Sequence, residues 1–117
     1  MAFDHHKLDV YRRALDALDA CDLICDGLPS RRRHVRDQIE RAATSVIANS
    51  AEGAGEFSPA EKARFYRMAR RSAIEVVAWL EITQRRGEAP SQLTDDALTH
   101  LEAVVSMLVR LIKRATK

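Results

Sequence analysis

Cysteines and histidines are the residues of this sequence best suited to metal binding or nucleophilic chemistry, and there are only two and four of them. Cys21 and Cys25 are four residues apart, which on a helix places their side chains on one face, one turn apart. Two thiols stacked in this way are not expected to form a disulfide. A zinc pair would need a second pair of ligands at a suitable spacing, which the sequence lacks. We interpret both cysteines as core thiols.

The histidines form no recognisable catalytic arrangement. One class of helical nucleases uses an arginine that is followed a few residues later by a histidine. His34 follows three arginines directly, which leaves no room for that spacing, and His100 has no arginine shortly before it. No glutamate has a histidine three residues later, the spacing that di-iron bundles use. Gly53-Ala54-Gly55 lacks the Lys-Ser/Thr that completes a phosphate loop. We expect a protein that is not an enzyme and that uses no metal or cofactor.

Polar side chains fall on faces that are predicted to point inward. Asn49 lies on the apolar stripe of the predicted second helix, with Ser45 four residues before it and Glu52 three residues after. The predicted third helix adds Ser72 and, at the edge of its stripe, Glu75. Buried polar groups are costly unless they are hydrogen-bonded. We interpret these five residues as a structural network that fixes helix register, with a ligand-binding or catalytic site as the alternative.

Four amphipathic helices must position these residues. Apolar side chains recur every three or four residues over about 7–27, 33–53, 59–86 and from 94 onward. The motif Ser58-Pro59-Ala60-Glu61 predicts a capped start for the third helix, and Thr94 is the predicted N-cap of the fourth. The inward stripe of the third helix includes Phe65, Ser72 and Trp79. Short connections predict an all-α, up-down-up-down four-helix bundle that forms one domain over residues 1–117.

The composition of the 117 residues agrees with such a bundle. They are 46% hydrophobic and 31% charged, with four Gly and three Pro, which disfavours disorder and turn-rich β folds. No apolar run approaches about 18 residues, and the start lacks an apolar signal core, so we expect a cytoplasmic protein without a membrane role.

Net charge is only +2, but its distribution is uneven. Residues 1–30 hold six acidic and three basic residues, whereas residues 31–71 hold ten basic and five acidic ones. Two arginine clusters in this middle part are candidates for binding the phosphates of RNA or DNA. They are Arg31, Arg32, Arg33 and Arg36, and Arg64, Arg67, Arg70 and Arg71. The alternative is an ordinary solvated face, because nearby acidic residues dilute the charge and no aromatic residues interleave for base stacking.

A second apolar row lies on the predicted third helix, displaced from its main stripe. Ile74, Ala78 and Ile82 follow each other at four-residue spacing. Such a row is a candidate subunit interface. The alternative is a wider core stripe.

The sequence also resembles a family of bacterial four-helix bundle proteins. This family includes proteins encoded in intervening sequences of large-subunit ribosomal RNA and the accessory variability proteins of diversity-generating retroelements. The resemblance spans nearly the whole chain and rests on Leu8-Asp9-Val10-Tyr11, Leu28-Pro29, Gln38-Ile39-Glu40-Arg41-Ala42-Ala43, Ser45-Val46, Asn49, Ala51-Glu52-Gly53, Phe65, Ala69, Ser72 and Glu75. The sequence differs from the family at Arg71, where Gly is common.

The resemblance implies a closed homo-oligomer, commonly a pentamer. In the retroelement branch it also implies binding to nucleic acid and to a reverse transcriptase. The leading hypothesis is therefore a homo-oligomeric, nucleic-acid-binding accessory protein. The alternative is a scaffold that binds other proteins and no nucleic acid.

Overall fold

The computed structural model describes residues 3–117 and shows four α-helices and no strand within that range. The helices are α1 (Asp9–Gly27), α2 (Arg33–Gly55), α3 (Pro59–Arg85) and α4 (Ser91–Ala115). Short 3-10 helices cover Asp4–Lys7 and Ser30–Arg32. No helix in the described part of the chain is long and apolar enough to cross a lipid bilayer.

Each helix packs against two neighbours, which confirms the predicted four-helix bundle. α1 and α3 both contact α2 and α4, and within residues 3–117 α1 and α3 do not contact each other. They are therefore the diagonal pair. The bundle measures 43 × 29 × 22 Å. At one end, which we call the Pro59 end, α1 and α3 begin and α2 and α4 finish.

The core is built from aliphatic side chains contributed by all four helices. Its largest fully buried members are Ile24, Ile39, Leu80, Leu101 and Leu108. Burying a side chain of this size stabilises the fold by about 1.5–3 kcal/mol relative to leaving it in water. The amphipathic pattern of the sequence therefore selects the bundle because it lets four apolar stripes meet.

Both cysteines lie in this core as free thiols, as the sequence predicts. Burial raises the pKa of Cys21 to about 12, with smaller contributions from Cys25 and Asp22. Burial also raises the pKa of Cys25, to about 11. Both thiols are thus protonated and weakly nucleophilic at neutral pH.

The buried stripe of α3 is rotated from its predicted position. Tyr66 and Ala73 are buried, whereas Phe65, Ser72 and Trp79 are only half-buried. The sequence offered an aromatic residue at both 65 and 66, and periodicity alone does not distinguish them. The neighbouring helix favours Tyr66 at the inward position, because it leaves room for that ring.

That room is provided by Gly53 on α2. A Cβ atom at Gly53 would lie 2.6 Å from Cε1 of Tyr66, so only glycine allows the ring to lie against the α2 backbone. α2 also continues to Gly55 instead of ending at Gly53 as predicted. Lys62 Nζ donates to the carbonyl oxygens of Gly53 and Ala54 over 3.1 and 2.9 Å. These bonds satisfy carbonyls near the helix end that would otherwise lack partners.

The start of α3 matches the predicted cap in part. Ser58 Oγ accepts from the backbone N–H of Glu61 over 3.4 Å, with Pro59 at the first helical position. The Glu61 carboxylate pairs with Arg64 over 2.7 Å. At the other end of α3, Gly87 adopts a φ of 66°, which suits glycine and ends the helix.

The predicted start of α4 is wrong by three residues. The helix begins at Ser91, and the Pro90 carbonyl accepts from the N–H groups of Leu93 and Thr94. Thr94 is fully buried in the first turn, where its hydroxyl donates to the Ser91 carbonyl over 3.0 Å. It also lies 3.3 Å from the donor Nε2 of Gln84. The sequence pattern predicted Thr94 as an N-cap because threonine is a preferred capping residue. In the structure its side chain instead links α4 to α3.

Candidate nucleic-acid interface

The first arginine cluster is largely used within the fold. Glu88, just after α3, accepts from Arg32 Nε over 2.8 Å and from Arg31 Nη2 over 3.1 Å. The Glu88 side chain is only 9% exposed and the Arg32 side chain 28%. These bonds fasten the connection between α1 and α2 to the end of α3, and they neutralise charge that was predicted to face a polyanion.

Arg36 also has a role within the fold. Its Nε donates to the carbonyl of Cys25 and its Nη2 to the carbonyl of Leu28, both over 3.1 Å. The guanidinium thereby caps the end of α1. Arg33 is exposed and makes no ion pair within the described residues, so it alone of this cluster points into solvent unpaired.

The second cluster, on α3, is more open. Arg64 pairs with Glu61 and lies over the ring of Phe65, 4.5 Å from its centroid. Arg67, Arg70 and Arg71 are exposed, and no carboxylate of residues 3–117 pairs with them. The spacing 64, 67, 71 places three of these guanidinium groups along one side of the helix. α3 therefore presents several positive charges to solvent.

The same outward side of α3 continues into the second apolar row. Ile74 is 44% and Ile82 37% exposed, and Ala78 between them is exposed as well. These residues thus lie on the surface of the single chain, which rules out the alternative that they widen its core. We call residues 64–82 on this side the α3 face. It is about 27 Å long, basic in its first half and apolar in its second.

An apolar cleft lies beside the second half of the α3 face. It has a volume of about 450 Å³, between α3 and α4. Ile74, Val77, Leu98 and Val105 supply its apolar lining. Ile74 therefore belongs to a larger apolar surface that spans two helices, and Ile82 lies eight residues further along α3.

Three members of the predicted polar network meet between α2 and α3. Asn49 Nδ2 donates to the backbone carbonyl and to Oγ of Ser45, both over 3.0 Å. Ser72 Oγ, from α3, donates to Ser45 Oγ over 3.0 Å. With Glu75, these side chains line a cleft of about 310 Å³ that Arg71 also borders. The cluster is half-buried and open to solvent.

The other two predicted members have different surroundings. Glu75 accepts from Arg41 Nη2 over 2.9 Å, a pairing between α2 and α3 that the sequence pattern did not reveal. Glu52 is exposed and borders another cleft, together with Phe3, Asp4 and His5. It lies apart from Ser45, Asn49 and Ser72, because position 52 is turned outward from the face that α3 covers.

On the opposite side of the bundle, α1 presents an acidic surface. Its exposed aspartates recur at three- and four-residue spacing and are Asp16, Asp19, Asp22 and Asp26. Partial burial raises the pKa of Asp22, and the nearby charges of Glu40, Asp19 and Asp26 raise it further. Since α1 and α3 are diagonal, acidic and basic surfaces face away from each other.

Within residues 3–117, no group of three or more His, Cys, Asp or Glu side chains is arranged to hold a metal ion. The candidate site therefore consists of the row of arginines on α3 and the apolar patch beside it. It also includes the cluster of Ser45, Asn49 and Ser72, which we call the hydroxyl–amide cluster. Guanidinium groups in such a row can bind phosphates by charge and by paired hydrogen bonds.

The family model for the 23S rRNA-intervening sequence protein matches residues 6–110. The chain belongs to this family. No curated protein matches the chain. The region shared with the 23S rRNA-intervening sequence protein family contains both arginine clusters, the hydroxyl–amide cluster and the apolar row. It ends before the last turn of α4. The resemblance inferred from the sequence motifs is thereby confirmed.

Proposed function

We propose that this protein is a non-enzymatic homo-oligomer that binds the phosphate backbone of RNA or DNA through the basic half of the α3 face. The observation that carries the proposal is the exposure of Arg67, Arg70 and Arg71 without a carboxylate partner in the described chain. An arginine that already pairs with Glu88 must break that pair to bind phosphate, whereas these three need not.

The chemistry of the α3 face favours backbone binding over sequence reading. Flexible guanidinium groups on a helix surface bind phosphates, which are the same at every nucleotide, so they give affinity without base discrimination.

The apolar half of the α3 face supports assembly from several copies. Two isoleucines exposed to this extent, beside an apolar cleft of about 450 Å³, form the kind of patch that a second copy would cover. A ring of identical subunits would repeat the modest basic half of each copy around an axis and raise avidity. The family resemblance favours a pentamer.

A protein partner is the second candidate function, and the same apolar patch favours it. In that case Ile74 and Ile82 bind another protein, with a reverse transcriptase as the partner that the retroelement branch suggests. The arginines would then be an ordinary solvated face.

Salt titration of RNA binding tests the nucleic-acid proposal. Affinity for a mixed-sequence RNA should fall steeply with salt, with a slope of about −0.7 to −0.9 per phosphate contacted. The combined variant Arg67→Gln, Arg70→Gln, Arg71→Gln should flatten the slope by about 2. The matched control Arg33→Gln, Arg86→Gln, Lys113→Gln removes the same charge from exposed positions that form no ion pair with the described residues, and it should retain most of the slope.

Wild-type protein that binds neither RNA nor DNA at low salt would overturn the nucleic-acid proposal in favour of the protein-binding alternative. Equal slopes in the two triple variants would show that the α3 face is not the contact surface. Cleavage of the RNA during the titration would show that the protein is an enzyme.

Light scattering tests assembly. We expect a mass that is a multiple of the chain mass, about fivefold by family resemblance. Ile82→Glu should lower that mass while helicity, measured by circular dichroism, stays unchanged. Leu23→Glu on α1, also an exposed apolar position, is the matched control and should leave the mass as it is. A wild-type monomer at high micromolar concentration would refute the assembly proposal.

A further inference from the structure

The Pro59 end of the bundle carries an exposed aromatic ring that the fold does not use. Phe57, in the turn between α2 and α3, is 97% exposed. A side chain of this size gains nothing from packing there and exposes a large apolar surface to water. Phe57 is two residues before Pro59, which borders a cleft of about 420 Å³ between α3 and α4. Phe57 and this cleft therefore lie at the same end of the bundle.

Cations surround that cleft. Lys62, Arg114 and Lys117 line it, with Tyr66 and Leu111 as its less exposed apolar parts. Lys62 gives two hydrogen bonds to backbone carbonyls, but these neutral acceptors leave its positive charge uncompensated. Arg114 and Lys117 are exposed, and neither forms an ion pair with the residues that the structure describes.

A second cleft extends the positive surface around the end of α4. It has a volume of about 280 Å³ and shares Leu111 and Arg114 with the first. Lys7 and Arg110 add two more cations. Asp9 is the acidic residue in its lining, and Arg12 pairs with it. The two clefts thus adjoin at Leu111 and Arg114, and we call them together the cationic groove.

We infer that this end of the bundle binds a single-stranded stretch of nucleic acid, with an unpaired base stacked on Phe57 and the adjoining phosphates in the groove lined by Arg114 and Lys117. The inference rests on the proposed nucleic-acid function and gives it a second contact surface. A cationic groove with an exposed aromatic ring is the combination by which proteins hold unpaired bases, because every base has a face that can stack. Duplex bases are already stacked and cannot use the ring.

The site lies apart from the α3 face and from both arginine clusters that the sequence indicated. Arg114 and Lys117 also lie beyond the region that the family model matches, residues 6–110. Phe57 and Lys62 lie within the matched region, so the candidate surface combines matched residues near the start of α3 with residues at the end of α4 outside the match.

Binding of a fluorescent single-stranded RNA and of the corresponding duplex tests the inference. Phe57→Ala should weaken single-strand binding about 5- to 100-fold and leave duplex binding unchanged, since stacking contributes roughly this much per base. Phe57→Trp should restore the affinity, and the emission of the added indole should be quenched by the single strand. Phe3→Ala removes another exposed ring and is the matched control.

A salt titration of the double variant Arg114→Gln, Lys117→Gln gives an independent measurement. Its slope for single-stranded RNA should be flatter by about 1.4, the loss of two phosphate contacts. The inference is wrong if Phe57→Ala weakens single-strand and duplex binding equally, or if it lowers the oligomer mass, which would place the ring in a subunit interface.

The two proposals fail in different ways. If wild-type protein binds no nucleic acid, the proposed function is wrong and this inference fails with it. If wild-type protein binds and loses affinity only when Arg67, Arg70 and Arg71 are replaced, the proposed function stands and this inference alone is wrong.

Discussion

Arg36 extends from α2 back to the end of α1, where its Nε donates to the carbonyl oxygen of Cys25 over 3.1 Å. The last carbonyls of a helix lack partners within the helix, and a positive charge there interacts favourably with the helix dipole. α1 has no basic residue in its last turn. The next helix in the chain therefore supplies the cation that α1 lacks.

Replacing Arg36 should destabilise the fold. Arg36→Gln removes the two hydrogen bonds to α1 and the charge at its end, and we expect the free energy of unfolding to fall by about 1–3 kcal/mol. Urea unfolding followed by circular dichroism measures the loss. Arg33→Gln removes the same charge from an exposed, unpaired position and should change stability by less than about 0.5 kcal/mol. Equal effects of the two variants would contradict the capping role.

Gly53 should tolerate no side chain while Tyr66 is present. Gly53→Ala places a methyl group 2.6 Å from the Tyr66 ring, and the resulting displacement should cost about 1–3 kcal/mol of stability. Gly55→Ala is the matched control on the same helix. No atom lies within 4 Å of its added Cβ, so it should be neutral or slightly stabilising. The two melting temperatures should separate clearly, and coincident values would disprove the ring contact.

The hydroxyl–amide cluster gives a ranking of substitutions. Ser45→Ala removes the acceptor shared by Asn49 and Ser72 and should cost about 1 kcal/mol. Glu52→Ala, at an exposed position, should change stability by less than about 0.5 kcal/mol. Chemical unfolding of both variants decides the order, and a larger loss for Glu52→Ala would mean that the carboxylate has a partner in solution.

Stability should decline in alkaline solution because of the buried thiols. Burial raises the pKa of Cys21 from 9.0 to about 12 and that of Cys25 from 9.0 to about 11. Above pH 9 the unfolded chain loses these protons before the folded one does, so the unfolded state is favoured as pH rises. The stabilisation is complete below pH 9 and is lost progressively toward pH 11–12.

Unfolding free energies measured between pH 8 and pH 10.5 check this expectation. Each thiol contributes a slope of at most about −1.4 kcal/mol per pH unit. The double variant Cys21→Ala, Cys25→Ala should be less stable at pH 8 but should show a shallower decline. Burial also raises the pKa of Tyr66 above its ordinary value of 10, so some decline should remain at the highest pH. Identical pH dependence in the two proteins would refute the assignment to the thiols.

The sequence predicted the bundle well because apolar periodicity, glycine and proline breaks and the Ser58 cap all act locally. It misplaced features that depend on a neighbouring helix. Tyr66 rather than Phe65 lies against Gly53, and the buried Thr94 accepts a hydrogen bond from Gln84. Neither contact can be read from the spacing within one helix.

The candidate site was predictable in its residue types and less so in their roles. The density of arginines in the sequence indicated both clusters. Only the structure shows that Glu88 binds Arg32 and that a carbonyl at the end of α1 accepts from Arg36. The partner of Glu75, Arg41, is 34 residues away in sequence and was missed for the same reason. Phe57 and the cations of α4 were also missed, because a turn and a distant helix end carry no shared sequence pattern.

The diagonal placement of α1 and α3 has an electrostatic consequence for encounters in solution. With the aspartates of α1 on one side and the arginines of α3 on the other, the molecule carries an electric dipole across its width. For the polyanion proposed as a partner, this charge separation favours approach by the α3 side within about 10 Å at 0.1 M salt. A net charge of only +2 therefore understates the attraction, since the field depends on how the charges are separated as well as on their sum.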